Sequence, residues 1–268
     1  MSSIDLSHLT DQHNPVLFIS DLHLDAESAA KLALSLQFFT FAQSASALFI
    51  VGDLFEYWLG DDAPDPRLQS VYDAIAAVSA SGTAIHIMHG NRDFLLGEHF
   101  AERVGATVHQ SDVLNLTLCN QTVSVVHGDT LCTDDTDYQA LRKLVRDPHW
   151  QNEFLALSIE ERIAKAQALR DKSRDATADK QATIMDVNAL AVSAHCVQFP
   201  CDCLIHGHTH RPAEHVVPIQ ETSAATDAEQ AKPLATRRLV LGDWKDDHTH
   251  IAVYDGRELK LTRYNAQP

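Results

Sequence analysis

The sequence predicts an α/β fold, and three observations predict it. Helix-like and strand-like segments alternate along the chain. Five short apolar runs, rich in β-branched residues, read as strands covered on both faces. Each of the five stops abruptly at His, Asp, Gly or Asn, which delivers polar tips to the carboxyl ends of the strands, where open α/β sheets bind ligands.

In chain order, Val16 to Ser20 runs into Asp21, and Ala29 to Phe41 reads as a helix. Leu48 to Val51 runs into Gly52-Asp53, and Leu68 to Ser79 reads as a second helix. Ala84 to Met88 runs into His89-Gly90-Asn91, and Val123 to Val126 into His127-Gly128-Asp129. An insertion of about residues 134–198 follows, rich in Ala, Leu, Lys, Arg and Glu. In it Leu155, Ile159, Ile163 and Ala166 recur at helical spacing, as expected of helices packed on the core. Its place between two polar-tipped strands also suits a lid. Leu204-Ile205 then runs into His206-Gly207-His208. Residues 219–236 read as a polar loop, and Leu239 to Tyr264 as further strands. Residues 1–15 are expected to be a polar extension, with a single domain over 16–268.

Composition narrows the function. The chain has 268 residues, 45% of them hydrophobic, enough for one large core. No apolar run reaches the ~18 residues that a membrane helix needs. The first fifteen residues carry Asp5, His8, Asp11 and His13 and no apolar h-region, so a cytoplasmic protein is expected. The five cysteines (Cys119, Cys132, Cys196, Cys201, Cys203) do not suggest a disulfide framework. The last three lie near His206 and read as free thiols or as a zinc site, although two Cys-x-x-Cys pairs are missing. A formal net charge of −16 argues against sequence-independent nucleic-acid binding and disfavours a nuclease. Residues 142–180 depart from that trend with nine Lys and Arg against seven Asp and Glu. They read as a solvated helical face or as a lobe kept basic for an anionic substrate.

The decisive feature is the set of tips taken together: Asp21-Leu22-His23, Gly52-Asp53, Gly90-Asn91-Arg92-Asp93, His127-Gly128-Asp129 and Gly207-His208-Thr209-His210. Singly each reads as a turn or a helix cap, but five in this order after buried strands do not. The set resembles the calcineurin-like metallophosphoesterases. The resemblance implies layered β-sheets flanked by helices, a helical lid insertion and two divalent metal ions. By it, Asp21, His23, Asp53 and His210 hold one metal, Asp53, Asn91, His127 and His208 hold the other, and Asp53 bridges. Mixed oxygen and nitrogen ligation without thiolate suits Mn²⁺, Fe²⁺ or Zn²⁺ better than Mg²⁺. The neutral amide of Asn91 is a weak donor that leaves its metal electrophilic. Two cations sharing a carboxylate sit about 3.5–4 Å apart and make a bridging water acidic enough to attack phosphorus as hydroxide. Glycines 52, 90, 128 and 207 let backbone approach closely.

Longer strings resemble the bacterial UDP-2,3-diacylglucosamine pyrophosphohydrolases. They are Gly52 to Asp62, His89 to Gly97, His127 to Asp135, Ile184 to Asn188 and His206 to Pro212, within a likeness running from about Val16 to Trp244. That resemblance implies cleavage of a lipid-linked UDP-sugar to UMP and 2,3-diacylglucosamine 1-phosphate in lipid A biosynthesis. It also implies manganese dependence and peripheral association with the cytoplasmic face of the inner membrane, with no obligate protein partner. Asn91, Arg92 and His208 are the implied catalytic and substrate-binding residues, joined by Asp135, Ser173, Thr177 and Lys180 as substrate contacts. The last three share one helical face by their spacing. Many metallophosphoesterases have His where this chain has Arg92. Arginine does not donate a proton near neutral pH but clamps phosphate oxygens, which favours an anhydride whose leaving group is itself a phosphate. The plainer reading of Arg92 is an ion pair with Asp93. A pyrophosphohydrolase of soluble nucleotide sugars would use the same metal ligands, and a non-catalytic scaffold would be expected to lack some of them.

Overall fold

The apolar runs pair into two six-stranded sheets that pack face to face. This computed structural model describes residues 2–7, 14–118, 121–178, 186–218 and 235–267, with backbone alone for Ser2 and 170–178. The strands are β1 (Ser2–Asp5), β2 (Val16–Ile19), β3 (Ala47–Val51), β4 (Ala84–Met88), β5 (Thr107–His109), β6 (Val113–Leu118), β7 (Gln121–Val126), β8 (Cys203–His206), β9 (Ala213–Pro218), β10 (Ala235–Val240), β11 (His248–Tyr254) and β12 (Leu259–Asn265). The helices are α1 (Ala29–Ala42), α2 (Gln69–Ala80), α3 (Glu98–Val104), α4 (Thr136–Val145), α5 (Pro148–Leu155), α6 (Ile159–Ala178) and α7 (Ala189–Gln198). One sheet runs β12-β11-β2-β3-β4-β5 and the other β1-β6-β7-β8-β10-β9.

Period-two alternation decides which core each side chain enters. Val16 and Phe18 of β2 and Ala47, Phe49 and Val51 of β3 point between the sheets, where they meet Leu114, Leu116, Val123, Val125 and Ile205. Leu17, Ile19, Leu48 and Ile50 point the other way, onto Leu34, Phe38, Phe39, Val71 and Ile75 of α1 and α2. On the far side of the sandwich α7 packs Val192 and Cys196 against Leu204 and Val126. Both faces of the central strands are therefore buried, as continuous apolar runs require.

The five polar-tipped strands divide between the sheets. β2, β3 and β4 pair in parallel in one, and β7 and β8 pair in parallel in the other. The tips therefore meet at a shared end of the sandwich.

Two expectations need adjustment. The stretch before Val16 contains β1, which pairs in parallel with β6 and sends Ile4 and Leu6 into the core between the sheets. Two apolar residues are too few to show as a period. The apolar stripe of the insertion is not core: Leu155, Ile159 and Ile163 are 37%, 44% and 52% exposed. Arg162 of α6 helps tie the insertion down: its guanidinium makes a two-pronged pair with Asp62 at 2.6 and 2.8 Å and donates to Leu59 O at 3.1 Å. Residues 219–234 and Lys180 lie outside the described residues.

Candidate metal centre

Asp21, His23, Asp53, His208 and His210 are the only non-glycine residues with positive φ among the described residues, with values from 46° to 68°. All five are expected metal ligands. The left-handed conformation costs a non-glycine residue on the order of 1–3 kcal/mol and persists where the surroundings over-determine it, typically at functional sites. Here the strands end and the chain turns sharply to aim side chains into one space. Close backbone approach makes this possible. A Cβ on Gly90 would collide with the Asp53 carboxylate and amide, and one on Gly207 with the Ser20 hydroxyl and the Asp21 carboxylate.

The donor atoms converge. His23 Nε2 lies 3.1 Å from His210 Nε2, and Asp21 Oδ1 lies 3.8 and 3.6 Å from those two nitrogens. Asn91 Oδ1 lies 3.1 Å from His127 Nε2 and 2.9 Å from His208 Nδ1. Between the two groups stands Asp53. Its Oδ1 accepts from the Arg92 amide at 2.8 Å, while Oδ2 lies 3.7 Å from both His23 Nε2 and His127 Nε2. Donors each about 2.1 Å from one ion lie roughly 3–4 Å from one another, depending on the angle between them, so these spacings fit two cations with Asp53 Oδ2 near both. Asp21 Oδ1 supplies an independent test. It is a fully buried carboxylate oxygen with no hydrogen-bond partner, while Oδ2 accepts from Ser20 Oγ and from the His208 amide. A buried anion left so is costly unless a cation completes it.

Surrounding groups fix which nitrogen each ring presents. His127 Nδ1 meets Val51 O at 2.9 Å, so that its Nε2 faces the site. His23 Nδ1 lies 3.3 Å from Glu56 Oε2 and His210 Nδ1 lies 3.6 Å from Asp243 Oδ2, ionic contacts rather than aligned hydrogen bonds. His208 is reversed: its Nδ1 faces Asn91, which leaves Nε2 available beyond the metal positions. Below the floor, Asp129 accepts from Tyr138 Oη at 2.6 Å and Arg142 Nε at 2.7 Å.

Acidity follows from this crowding. Burial opposes the ionised form of Asp21, but the His210, His127 and His23 rings outweigh it and hold the carboxyl well below its usual range. Burial likewise opposes the charged form of His127, yet Asp53, Asp21 and Asp129 lift it to about 9. His208 is pushed down to about 4, by burial first and by His127 second. The raised His127 reports the carboxylates around it, a setting that favours cations.

Asp93 does not pair with Arg92. It is fully buried, and its Oδ1 accepts from the amides of Gly90 at 2.9 Å and Asp53 at 3.3 Å. Its Oδ2 accepts from Leu54 at 2.7 Å and Phe55 at 3.4 Å. Arg92 pairs with Glu56 instead, Nη1 to Oε1 at 2.7 Å.

The calcineurin-like phosphoesterase family model matches residues 14–212, a span that includes all five tips. The chain belongs to the calcineurin-like phosphoesterases. This phosphoesterase is 43% identical over 244 residues to the UDP-2,3-diacylglucosamine hydrolase of Aromatoleum aromaticum, an alignment covering 90% of this chain and 93% of that one. It is 43% identical over 238 residues to the UDP-2,3-diacylglucosamine hydrolase of Escherichia coli, covering 88% and 94%. For the Chromohalobacter salexigens protein of the same name the identity is 42% over 230 residues, covering 85% and 88%.

The remaining expected site residues of the phosphoesterase are spread over the insertion. Asp135 caps α4, its Oδ1 accepting from the Tyr138 amide at 3.0 Å. Ser173 and Thr177 lie one turn apart on the α6 backbone, and Lys180 falls beyond the described residues. Cys196, Cys201 and Cys203 are buried, and no cysteine belongs to the metal-competent side-chain groups among the described residues. The sequence reading gave no role to Glu56 or Asp243. Asp243 did carry a signal, since Leu239 to Leu241 runs into Gly242-Asp243 as Val51 runs into Gly52-Asp53.

Proposed function

We propose that this chain hydrolyses the pyrophosphate of UDP-2,3-diacylglucosamine to UMP and 2,3-diacylglucosamine 1-phosphate, a step of lipid A biosynthesis. The observation that carries the proposal is Arg92 at the mouth of the paired donor groups, in a chain whose relatives of that name align over nearly their full length. Asp21, His23, Asp53 and His210 would hold one cation and Asp53, Asn91, His127 and His208 the other, with Mn²⁺ the best match to the mixed oxygen and nitrogen donors. When bound, such a pair supplies an activated water and neutralises phosphate charge.

The chain's own groups do the rest. Asp53 Oδ2, 3.7 Å from both His23 Nε2 and His127 Nε2, would contribute to both positions. Val51 O and Glu56 set the His127 and His23 rings. His208 Nε2 and the free edge of Arg92 receive phosphate oxygens. A phosphate leaving group departs without a proton, so a guanidinium suffices where an alkoxide would need an acid. Asp135, Ser173, Thr177 and Lys180 contact the substrate from the insertion. The exposed Leu155, Ile159 and Ile163 line the path of the acyl chains, which suits work at the inner-membrane surface. That apolar stripe disfavours a soluble nucleotide sugar as substrate.

Turnover of UDP-2,3-diacylglucosamine with Mn²⁺ in ¹⁸O-water tests the reading. Attack at the uridine-side phosphorus places the label in UMP. Label in the sugar phosphate reverses the substrate in the site, and turnover of soluble UDP-sugars alone overturns the lipid-linked substrate.

A further inference from the structure

Glu56 lies three residues beyond Asp53, and its two oxygens engage different partners. Oε1 is 2.7 Å from Arg92 Nη1, and Oε2 is 3.3 Å from His23 Nδ1. The carboxylate is 19% exposed and the His23 ring 10%. The opposite nitrogen of that ring, Nε2, faces Asp21, Asp53 and His210. A single carboxylate therefore touches both the back of one metal position and the guanidinium assigned above to the substrate phosphate.

We propose that Glu56 is a positioning residue that couples the Asp21, His23 and His210 position to the Arg92 clamp. The Arg92 half rests on the function proposed above, and the metal half does not. The contact at Nδ1 is ionic and falls short of an aligned hydrogen bond, but a carboxylate 3.3 Å away favours the His23 tautomer with the proton on Nδ1, which turns the Nε2 lone pair inward. The two metal positions differ in this respect. His127 is backed by the neutral carbonyl of Val51, whereas His23 is backed by a carboxylate. His210 is backed by Asp243, whose charge is shared with Lys245 Nζ at 2.6 Å. The Asp21 side is thus the more anionic and holds the tighter cation. Arg92 in turn offsets the Glu56 charge. Its guanidinium is anchored through Nη1, which preorganises its remaining donors and reduces the ordering that phosphate binding requires.

The test uses full-length, chelator-stripped protein and Mn²⁺ titration calorimetry. Glu56→Gln keeps the shape but offers one acceptor oxygen in place of two. One Mn²⁺ equivalent should weaken by about 10–100-fold, the usual scale for losing a partner behind a metal-ligating histidine, with the other almost unchanged. Arg92→Ala should leave both equivalents almost unchanged. At saturating Mn²⁺, Glu56→Gln should lower kcat more than it raises KM, and it should add no further loss in the Arg92→Ala background. A purely structural role moves the melting temperature but produces neither the selective loss of one equivalent nor the background dependence. Wild-type Mn²⁺ binding in Glu56→Gln overturns the proposal, and so does an equal loss of kcat in both backgrounds. Glu56→Ala repeats the measurement if the Gln variant melts early. Wild-type turnover of the lipid-linked substrate, run alongside, judges the function separately, because the metal titration needs no substrate.

Discussion

Replacing Asp93 with asparagine should disorganise the centre from below without touching a metal donor. Both Asp93 oxygens accept two backbone amides each, from Gly90 and Asp53 on Oδ1 and from Leu54 and Phe55 on Oδ2. Burial and the Asp53 charge push this carboxyl up, but neither oxygen has room for a proton between two converging donors. Asparagine has one acceptor oxygen, so its NH₂ must face two N–H groups in a fully buried place. Each buried amide left without an acceptor costs about 1–3 kcal/mol, which gives about 2–6 kcal/mol for the pair. At about 2–4 °C per kcal/mol for a chain of this size, the melting temperature should drop by about 4–24 °C. The damage falls where the β3 and β4 tips are stapled together, so Asn91 and Asp53 should lose register. A displacement on the order of 1 Å at such a site lowers turnover by about a hundredfold. Thermal melts in EDTA, Mn²⁺ titration and kcat on one preparation check this. A variant that melts within about 1 °C of wild type and binds both Mn²⁺ equivalents normally would refute the stapling argument.

Two other outcomes follow. His127→Ala removes a donor placed between Asp53 and Asn91, and should abolish nearly all turnover and one Mn²⁺ equivalent; full activity in metal-free protein would sink the dinuclear reading. His195 is buried, its Nε2 2.9 Å from Ser124 Oγ, and burial lowers its pKa to about 4. A depressed histidine keeps its stabilisation above the unfolded value of about 6.5 and loses it as pH falls towards 4, by about 1–2 kcal/mol at pH 5. The drop in melting temperature between pH 7.5 and 5 should therefore be smaller by a few °C in His195→Gln than in wild type; parallel curves would remove His195 from the acid response.

The strand tips were legible because metal and phosphate chemistry accepts few residue types. A run such as Leu48 to Val51 cannot end in Gly52-Asp53 for the sake of the core, so the polar tip calls for another cause. Helices α1 and α2 were legible as runs without Gly or Pro between the first strands. What stayed hidden depends on approach between distant segments. Nothing local in Val123 to Val126 shows that β7 belongs to a different sheet from β2 and β3, because strand pairing is a property of two strands and not of one. Nothing local in Arg92 shows that it turns from its neighbour Asp93 to Glu56, 36 positions away. The choice is physical: Asp93 is fully buried and surrounded by four amides, while Glu56 is near the surface, where a guanidinium keeps part of its hydration. The left-handed turns at Asp21, His23, Asp53, His208 and His210 join the two levels. Each is a local conformation that the residue alone disfavours. Asp21, His23, Asp53 and His208 are held by amide contacts across the tips, such as His23 N to Asp53 O at 3.0 Å and His208 N to Asp21 Oδ2 at 2.8 Å. The donors could be read from residue type, but the strain that aims them exists only once tips distant in sequence have met, within one sheet for His23 and Asp53 and across the two for Asp21 and His208.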